Sequence, residues 1–455
     1  MHRTSAGRVR VVVGVVSTAV IQGGDNVTRL LITIKTLSPL YAGAFKPYGS
    51  FLETHAEISG ALLRGAVAGK TLPDCAAPEL INNHEACEVK DICPFYYLTT
   101  GVAFPTCAVA DLTRPTEPPL RTMVTCKAAP GFASQSKSDD PKHGVFDTLL
   151  AHLAFNELRG QGVRSSKLPP QRCEHKDDES QPCNAPLEPF GKRYLRESSG
   201  RYRVAPSLRT RRMTHVGINR RRETAEGGLL FSVQTIAGMV KEGKLQSNAV
   251  FAGTLTVPDD WDENRVKEFG QLLKSITRIG GEQTYGLGQV EITVREADDE
   301  EEDVPTRVSE FNEKLKEVWS EYGGEGEPQG DYFTIDLLNP ALLTTPDGTP
   351  TVQLTADALT ARAAELGCGD LPDLDESLVF TAPTTVAGWS DAWGLPKPPA
   401  LAAVAGSVYV FRTNDISAWH DALTRIEAHG IGARREEGFG AVRVCDPFHR
   451  EVEAK

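Results

Sequence analysis

What the chain lacks narrows it first. No apolar run approaches the roughly 20 residues that a membrane-spanning helix needs. A content of 40% hydrophobic and 24% charged residues is that of a soluble globular protein. Cysteine is too sparse for a disulfide scaffold: there are nine in 455 residues, an odd number, and seven fall between residues 71 and 222. That usage fits a reducing compartment and metal-binding thiols. The chain has no Gly-x-Ser-x-Gly, no His-Glu-x-x-His and no paired-carboxylate motif, and His55, His215, His420 and His429 are scattered. The usual hydrolase constellations are therefore absent. Metal-free cleavage of RNA needs only a base, an acid and a cation, so that class stays open. Val11–Ile21, behind Arg3, Arg8 and Arg10, has the shape of a secretory signal, and reads equally as a first strand or a mis-assigned start. Residues 1–25 are set aside as an N-terminal extension.

Acid outweighs base overall, and the net charge of −12 argues against a surface that coats nucleic acid uniformly. The distribution is uneven. Residues 190–222 hold eleven Lys and Arg against one acid, Glu197, so the segment is +10 and the remainder −22. A basic band on an acidic body can meet a polyanion at one face while the rest repels it. Arg209, Arg211 and Arg212 precede Thr214-His215-Val216, Arg220, Arg221 and Arg222 follow it, and Tyr194 and Tyr202 are interleaved. Arginine suits bidentate phosphate contact and stacking on bases. A solvated charge run is the competing reading, and the imbalance within an acidic chain favours contact with RNA or DNA. The acidic run Asp298–Asp303 reads instead as a solvated linker.

The chain also repeats itself. Arg278–Val290 (RIGGEQTYGLGQV) returns as Gly430–Val442 (GIGARREEGFGAV), with six positions matched at an offset of 152. Glycine at so many matched places points to backbone at positive φ, or to backbone that something approaches closely. The residues after each loop alternate as a strand does. A weaker repeat sets TIKTLSP, ending at Pro39, over TIDLLNP, ending at Pro340, at an offset of 301. Each half thus opens with a strand and closes with strand, helix, Gly-rich loop and strand. The closing units are Phe251–Val257 with a helix over Asp262–Ile276, and Ser407–Arg412 with a helix over Asp415–Ala428. Asp262 and Asp415 suit the positive end of a helix dipole. The expected fold is α+β, with an antiparallel sheet and helices on one side in each half. The halves span residues 26–297 and 331–455, joined by an acidic linker over 298–330 in which Val304–Tyr322 reads as a short helix. A long irregular insertion covers about 71–222.

Neither Gly-rich loop is a dinucleotide fingerprint or a phosphate-binding P-loop, since the third glycine and the Lys-Ser/Thr are missing. GFGAVRV echoes the central strand of RNA-recognition domains, but Glu437, Ala441 and Val444 stand where a cation and two aromatics are expected. The first loop carries Tyr285 between the basic band and Gly286 and Gly288. The second has Glu436 and Glu437 beside its glycines, so it reads as serving packing or subunit contact. Leu62–Lys70, after Ile58-Ser59-Gly60, is a glycine-bounded helix start where backbone N–H groups, Arg64 and Lys70 could meet a phosphate. An ordinary helix start reads equally well. Cys126, His143, Cys173 and Cys183 flank a Pro-, Ser- and Gly-rich stretch with little apolar content, which a tetrahedral zinc site would staple. There is no CxxC, so spacing alone is weak, and His175 competes as a ligand. Cys75, Cys87, Cys93 and Cys107 are a second, weaker set.

Taken together these residues resemble the RAMP superfamily, RNA-binding proteins of CRISPR–Cas effector complexes. ISGALLRGAVAG over Ile58–Gly69 is similar to that family's helix start. CEVKDICPFYYLTTG over Cys87–Gly101 is similar to its Cys-rich segment, with one cysteine of the CxxC lost. The two Gly-rich loops match its loop before the last strand. CKAAPGF, HGVFDTLL, the segment Thr214–Ile236, AGWSDAWGLPKP and GSVYVFR narrow the likeness to the double-domain RAMP subunit of type III-D complexes, across residues 27–445. The resemblance implies two ferredoxin-like, RNA-recognition-type domains, the first with a zinc-stabilised insertion. It implies a non-catalytic cytoplasmic subunit that grips the 5′ handle of the CRISPR RNA. Its partners would be the large polymerase-like subunit and the backbone RAMP subunits, with target RNA touched indirectly. The expected RNA contacts are Arg64, Lys70, Arg209, Arg211, Arg212, His215, Arg220, Arg221, Arg222, Tyr285, Gly286 and Gly288. The alternatives are a metal-independent endoribonuclease acting on precursor CRISPR RNA and an adaptor that touches only protein.

Overall fold

The computed structural model describes residues 28–43, 51–77, 80, 84–90, 93–111, 114–177, 181–197, 200–242, 245–258, 260–297, 302–390 and 395–453. The expected extension over residues 1–25 and the first four residues of the acidic run lie outside these. The run's last residue, Asp303, caps a helix by accepting from Thr306 N–H at 2.8 Å.

In the first half the regular elements are β1 (Arg29–Thr36), α1 (Gly60–Thr71), β2 (Ala108–Asp111), β3 (Ser207–Asn219), β4 (Thr224–Glu242), β5 (Val250–Thr256), α2 (Glu263–Lys274) and β6 (Val290–Glu296). In the second they are α3 (Val304–Glu321), β7 (Asp331–Leu337), α4 (Ala356–Glu365), β8 (Asp375–Phe380), β9 (Pro383–Ser390), β10 (Leu395–Ala403), β11 (Val408–Thr413), α5 (His420–His429) and β12 (Val442–Val444). One antiparallel sheet runs β6-β1-β5-β2, with Arg114–Pro115 at its edge; the other runs β12-β7-β11-β8. Both orders read last, first, third, second along a β-α-β-β-α-β path, the ferredoxin-like threading. In each, a long hairpin leaves the sheet between the second and third strands: β3–β4 in the first, β9–β10 in the second.

The 301 and 152 offsets reappear as strand register. Ile34 sits between Phe251 and Ile292, and its counterpart Ile335 sits between Tyr409 and Val444. All six are buried. At roughly 1.5–3 kcal/mol for each large apolar side chain taken out of water, these central triplets are the strongest local reason for the register. Asp262 caps α2 by accepting from Arg265 N–H at 2.8 Å. Asp415 does the same for the short turn leading into α5, accepting from Ser417 Oγ at 2.5 Å and Ala418 N–H at 3.3 Å. The first helix begins where the sequence places an acid; the second begins at His420, one short turn after Asp415.

Residues 114–204 hold more regular structure than an irregular insertion. Met123–Cys126 pairs with Val145–Asp147 and Leu187–Pro189. The segment Leu149–Gly160 is a helix because Leu149, Leu150, Leu153, Ala154 and Leu158 fall at helical spacing, and all are buried. This helix and an aromatic group of Phe132, Phe190, Tyr194, Tyr202 and Phe448 share one hydrophobic core with α3 and the second sheet. The first sheet has its own core with α1, α2 and Phe95–Val109.

A buried polar knot ties the insertion to the second sheet. His449, fully buried, bonds through Nδ1 to Asp147 Oδ2 at 3.1 Å and through Nε2 to Asp336 Oδ1 at 3.0 Å. Thr122 Oγ1 and Leu149 N–H donate to Asp147, while Thr334 Oγ1 and Asp446 N–H donate to Asp336. Burial opposes the imidazolium, but Asp336 and Asp147 outweigh it and hold the His449 pKa well above its ordinary value. The folded value is raised, so the stabilisation is complete below the unfolded pKa and is lost as pH rises through the folded one. His449→Leu strands two buried carboxylates and should cost about 3–5 kcal/mol in denaturant unfolding. Wild type should lose stability on the alkaline side of neutrality in a component that the variant lacks.

Candidate nucleic-acid interface and metal cluster

The two Gly-rich loops are the same object built twice. Ile279 N–H donates to Gly288 O at 2.9 Å, and Ile431 N–H to Gly440 O at 2.9 Å. Gly288 N–H reaches Pro39 O at 2.8 Å, and Gly440 N–H reaches Pro340 O at 2.9 Å. Gly281 N–H and Ala433 N–H bond the carbonyls of Tyr41 and Leu342 at 3.1 and 3.0 Å. Each loop therefore closes on the turn after its own opening strand. Glycine is required at the closure: Gly288 and Gly440 have φ of +80° and +70°, and a Cβ on either would run into the carbonyl oxygen of Ile279 or Ile431.

In the first copy the loop's outer side is open. Tyr285 is 56% exposed, and a Cβ on Gly286 would meet nothing. Behind them Arg278 Nη1 donates to the carbonyls of Gln283 and Leu287, both at 3.2 Å, and Gln283 Nε2 donates to Gly280 O at 2.8 Å. The Tyr285 ring lies 5.0 Å from the His215 ring, which stacks on Phe231 at 5.1 Å and 21°. His215 and Phe231 are a cross-strand pair of the β3–β4 ribbon. Arg209, Arg211 and Arg212 on β3 and Arg220, Arg221 and Arg222 at its turn are exposed, with Arg212 set over Phe51 at 4.9 Å. The ribbon that exposes these arginines is thus the element the first loop's ring meets; by strand alternation Arg211 shares the face of His215, Arg212 takes the other face, and Arg220–Arg222 stand at the far turn.

In the second copy the matching position, 285 plus 152, is Glu437, and it is buried. Its carboxylate accepts from Lys397 Nζ at 2.7 Å and from Arg434 Nη2 at 2.6 Å. Lys397 lies on the β9–β10 hairpin, so position 285/437 is where each loop meets the hairpin of its own half. The second hairpin carries no other cation over 383–390 and 395–403, and it exposes Trp389 and Leu395 instead. On its other side this loop is closed by α1. A Cβ on Gly438 would lie 2.8 Å from Thr106 Oγ1, 2.9 Å from Phe104 O and 3.1 Å from Gly60 N.

This packing corrects the phosphate reading of the α1 start. Ser59 Oγ already accepts from Leu62 N–H at 3.3 Å, and Gly60 is backed by the Glu437 carbonyl, so the first turn is covered. Arg64 lies over the Phe95 ring at 5.4 Å, while Lys70 is exposed at the far end of the helix. The basic band is also smaller than its run of cations suggests. Arg193 pairs with Glu57 at 2.6 Å and bonds Thr116 O, and Arg203 pairs with Asp111 and Glu197. Tyr194 and Tyr202, interleaved with the cations in the sequence, are buried in the aromatic core. Phe132 and Phe448 hold them there.

Cys126, His143, Cys173 and Cys183 do converge, with one ligand atom of each lying within 4.8 Å of all the others. Cys126 closes a strand, and Cys173 and Cys183 flank the paired strands Lys176–Asp177 and Gln181–Pro182, where Asn184 N–H returns to Cys173 O at 2.9 Å. Cys126 Sγ and Cys183 Sγ are 3.7 Å apart, and Cys173 Sγ is 3.5 Å from His143 Nδ1. A tetrahedron with bonds of about 2.3 Å to sulfur and about 2.0 Å to nitrogen has edges of about 3.8 and 3.5 Å. The four residues therefore fit one metal ion. His175, the competing ligand, stacks on His143 at 4.3 Å. Burial raises the Cys126 thiol, but the N–H groups of Ala129 and Ala128 and the neighbouring thiols outweigh it and hold it below its ordinary range, whereas burial pushes Cys173 up to about 12. Among the described residues, the second cysteine set is not gathered into a site.

The RAMP superfamily family model matches residues 145–291. That region holds the knot's Asp147, the ribbon and the first Gly-rich loop. A search of curated proteins finds no match. Among solved structures, the chain resembles a chain of the Type III-B Cmr-beta complex bound to cognate target RNA and AMPPnP, at 12% identity over 84% of this chain and 86% of that one, with a TM-score of 0.30. It also resembles a chain of the Csm3–Csm4 subcomplex of the type III-A CRISPR-Cas interference complex, at 13% identity over 85% and 95%, TM-score 0.30. A third is oligomeric Cmr4 from Pyrococcus furiosus, at 15% identity over 60% and 99%, TM-score 0.21. At these scores the overlays assign no role to any residue.

Burial raises the Glu437 carboxyl, but Arg434 and Lys397 outweigh it and hold the pKa below its ordinary value. The folded value is depressed, so this stabilisation is present above the unfolded pKa and lost as pH falls through the folded one. Glu437→Gln should therefore cost about 1–3 kcal/mol at neutral pH. In urea unfolding the gap from wild type should shrink as the solution is acidified.

Proposed function

Starting from the RAMP-superfamily match over residues 145–291, we propose that this chain is a CRISPR RNA-binding scaffold subunit of a type III effector complex, of the III-D kind. It grips the 5′ handle of the CRISPR RNA and caps the backbone of RAMP subunits beside the large polymerase-like subunit, in the cytoplasm. One observation carries this reading: the β3–β4 ribbon, which exposes six arginines, is the element that Tyr285 of the open first Gly-rich loop meets, at His215. Cations at 209, 211, 212 and 220–222 neutralise phosphates, and exposed Gly286 leaves the loop open to a passing strand, whereas Gly288, buried with its N–H on Pro39 O, shapes the loop. Arg64 and Lys70 are a lesser, separate pair of cations on α1. The second loop, closed by Glu437 and α1, serves packing.

Zinc is the metal that the Cys126, His143, Cys173 and Cys183 set would hold, since three thiols and an imidazole in a tetrahedral arrangement suit it. Bound there it supplies a cross-link and no chemistry of reaction, joining the strand that ends at Cys126 to the hairpin between Cys173 and Cys183. Purified protein should carry a single zinc per chain by elemental analysis. Cys173→Ser should lose it and lower the thermal midpoint.

Charge reversal at Arg220, Arg221 and Arg222 should weaken binding to repeat RNA and flatten the salt dependence, by roughly 0.7 in slope for each phosphate no longer neutralised. Unchanged affinity and slope would favour the protein-only adaptor. The adjacency of His215 and Tyr285 is what favours metal-independent cleavage of precursor CRISPR RNA as a second reading, because the two offer a base and an acid side by side. Site-specific cutting of repeat RNA without divalent cations, abolished by His215→Ala, would replace the scaffold reading with that one.

A further inference from the structure

We infer that Tyr285 is the seat for one unpaired nucleobase, so that the first Gly-rich loop takes a base by stacking rather than a phosphate by charge alone. The inference rests on the RNA-binding reading above and specifies which part of the RNA this loop holds. Tyr285 ends a ladder of three rings: Phe231 stacks on His215, and His215 meets Tyr285, whose ring is 56% exposed. The loop beneath it is rigid. Its backbone closes on Pro39, and the Arg278 guanidinium and the Gln283 amide bond its carbonyls. A large aromatic side chain held in place at more than half exposure, on a braced loop, is preorganised to accept a flat partner without further ordering cost. Next to it Gly286 leaves open space where a side chain would stand, so a ribose-phosphate can pass close to the backbone.

The duplicate loop sharpens the argument. There the same position faces its own hairpin through a carboxylate that Lys397 and Arg434 neutralise. That copy keeps the fold of the loop with no ring at this position, so the loop's architecture does not require Tyr285. Charge around the first copy favours nucleic acid as the flat partner. Six exposed arginines lie on the same ribbon, and Glu282, three residues back, sits beside Tyr41. The ligand is a base in single-stranded RNA, since a base inside a duplex has both faces covered. Every base offers a π-face, so the seat should be tolerant of sequence.

Fluorescence titration of the full chain with poly(A), poly(U) and a base-free ribose-phosphate polymer tests this. Removing a stacking ring costs about 1–3 kcal/mol per base, or roughly 5- to 150-fold in affinity. Tyr285→Ala should show such a loss on poly(A) and poly(U), with an unchanged salt slope, while Tyr285→Phe should bind as wild type does. On the base-free polymer the alanine variant and wild type should be equal. Wild-type affinity of Tyr285→Ala for poly(A), or an equal loss on the base-free polymer, overturns the seat. If charge reversal at Arg220–Arg222 still weakens binding in that case, only the seat is lost; if it does not, the RNA-binding reading falls with it.

Discussion

The structure turns on how each Gly-rich loop fastens to the turn after an opening strand. Gly288 donates to Pro39 and Gly440 to Pro340, in both cases through a glycine whose φ no larger residue adopts cheaply. Proline at the acceptor position has no N–H of its own, so its carbonyl is the group the turn can offer. The bond ties the last strand of each sheet to the end of the first, and those two strands are neighbours in both sheets. The loop's rigid shape and the position of its tip follow from this closure, which fastens the strand register that the buried apolar triplets set. A loop that could swing would present Tyr285 anywhere; this one presents it beside the ribbon.

Two copies of one closure have diverged at their tips. In the first half the residue facing the hairpin is an exposed tyrosine against a histidine. In the second it is a buried glutamate against a lysine. The first arrangement leaves a surface. The second removes one and substitutes a neutralised ion pair, worth retaining because a buried carboxylate without its partners would cost several kcal/mol. The exposed residues of the hairpins follow suit, arginines on β3 and its turn, tryptophan and leucine on β9–β10. The two halves therefore share a backbone plan while offering different chemistry.

The repeats were legible in the sequence because they are local patterns of glycine, proline and alternation, and such patterns survive without knowledge of the fold. So was the gathering of Cys126, His143, Cys173 and Cys183, since a stretch poor in apolar residues with thiols at its edges calls for a staple. What escaped was everything decided by partners far along the chain. Arg193 meets Glu57 from 136 residues away, and nothing nearby marks it as taken. Tyr194 and Tyr202 stand in a run of cations, yet their partners are Phe132 and Phe448, and the core claims them. His449 escaped altogether, because its two aspartates lie 302 and 113 residues away. The covered start of α1 belongs with these, as its cover comes from the far end of the chain.

At that covered start, two glycines face each other. Gly60 opens α1, Gly438 ends the tip of the second loop, and a methyl group on either would strike the Phe104 carbonyl as well as crowd the segment that carries the other. A larger residue at one cannot be accommodated by shrinking the other, which has nothing left to remove. Ordinary cores drift by compensation, a large side chain here for a small one there. This joint has no such exchange available, so a side chain at either position is admitted only by moving backbone.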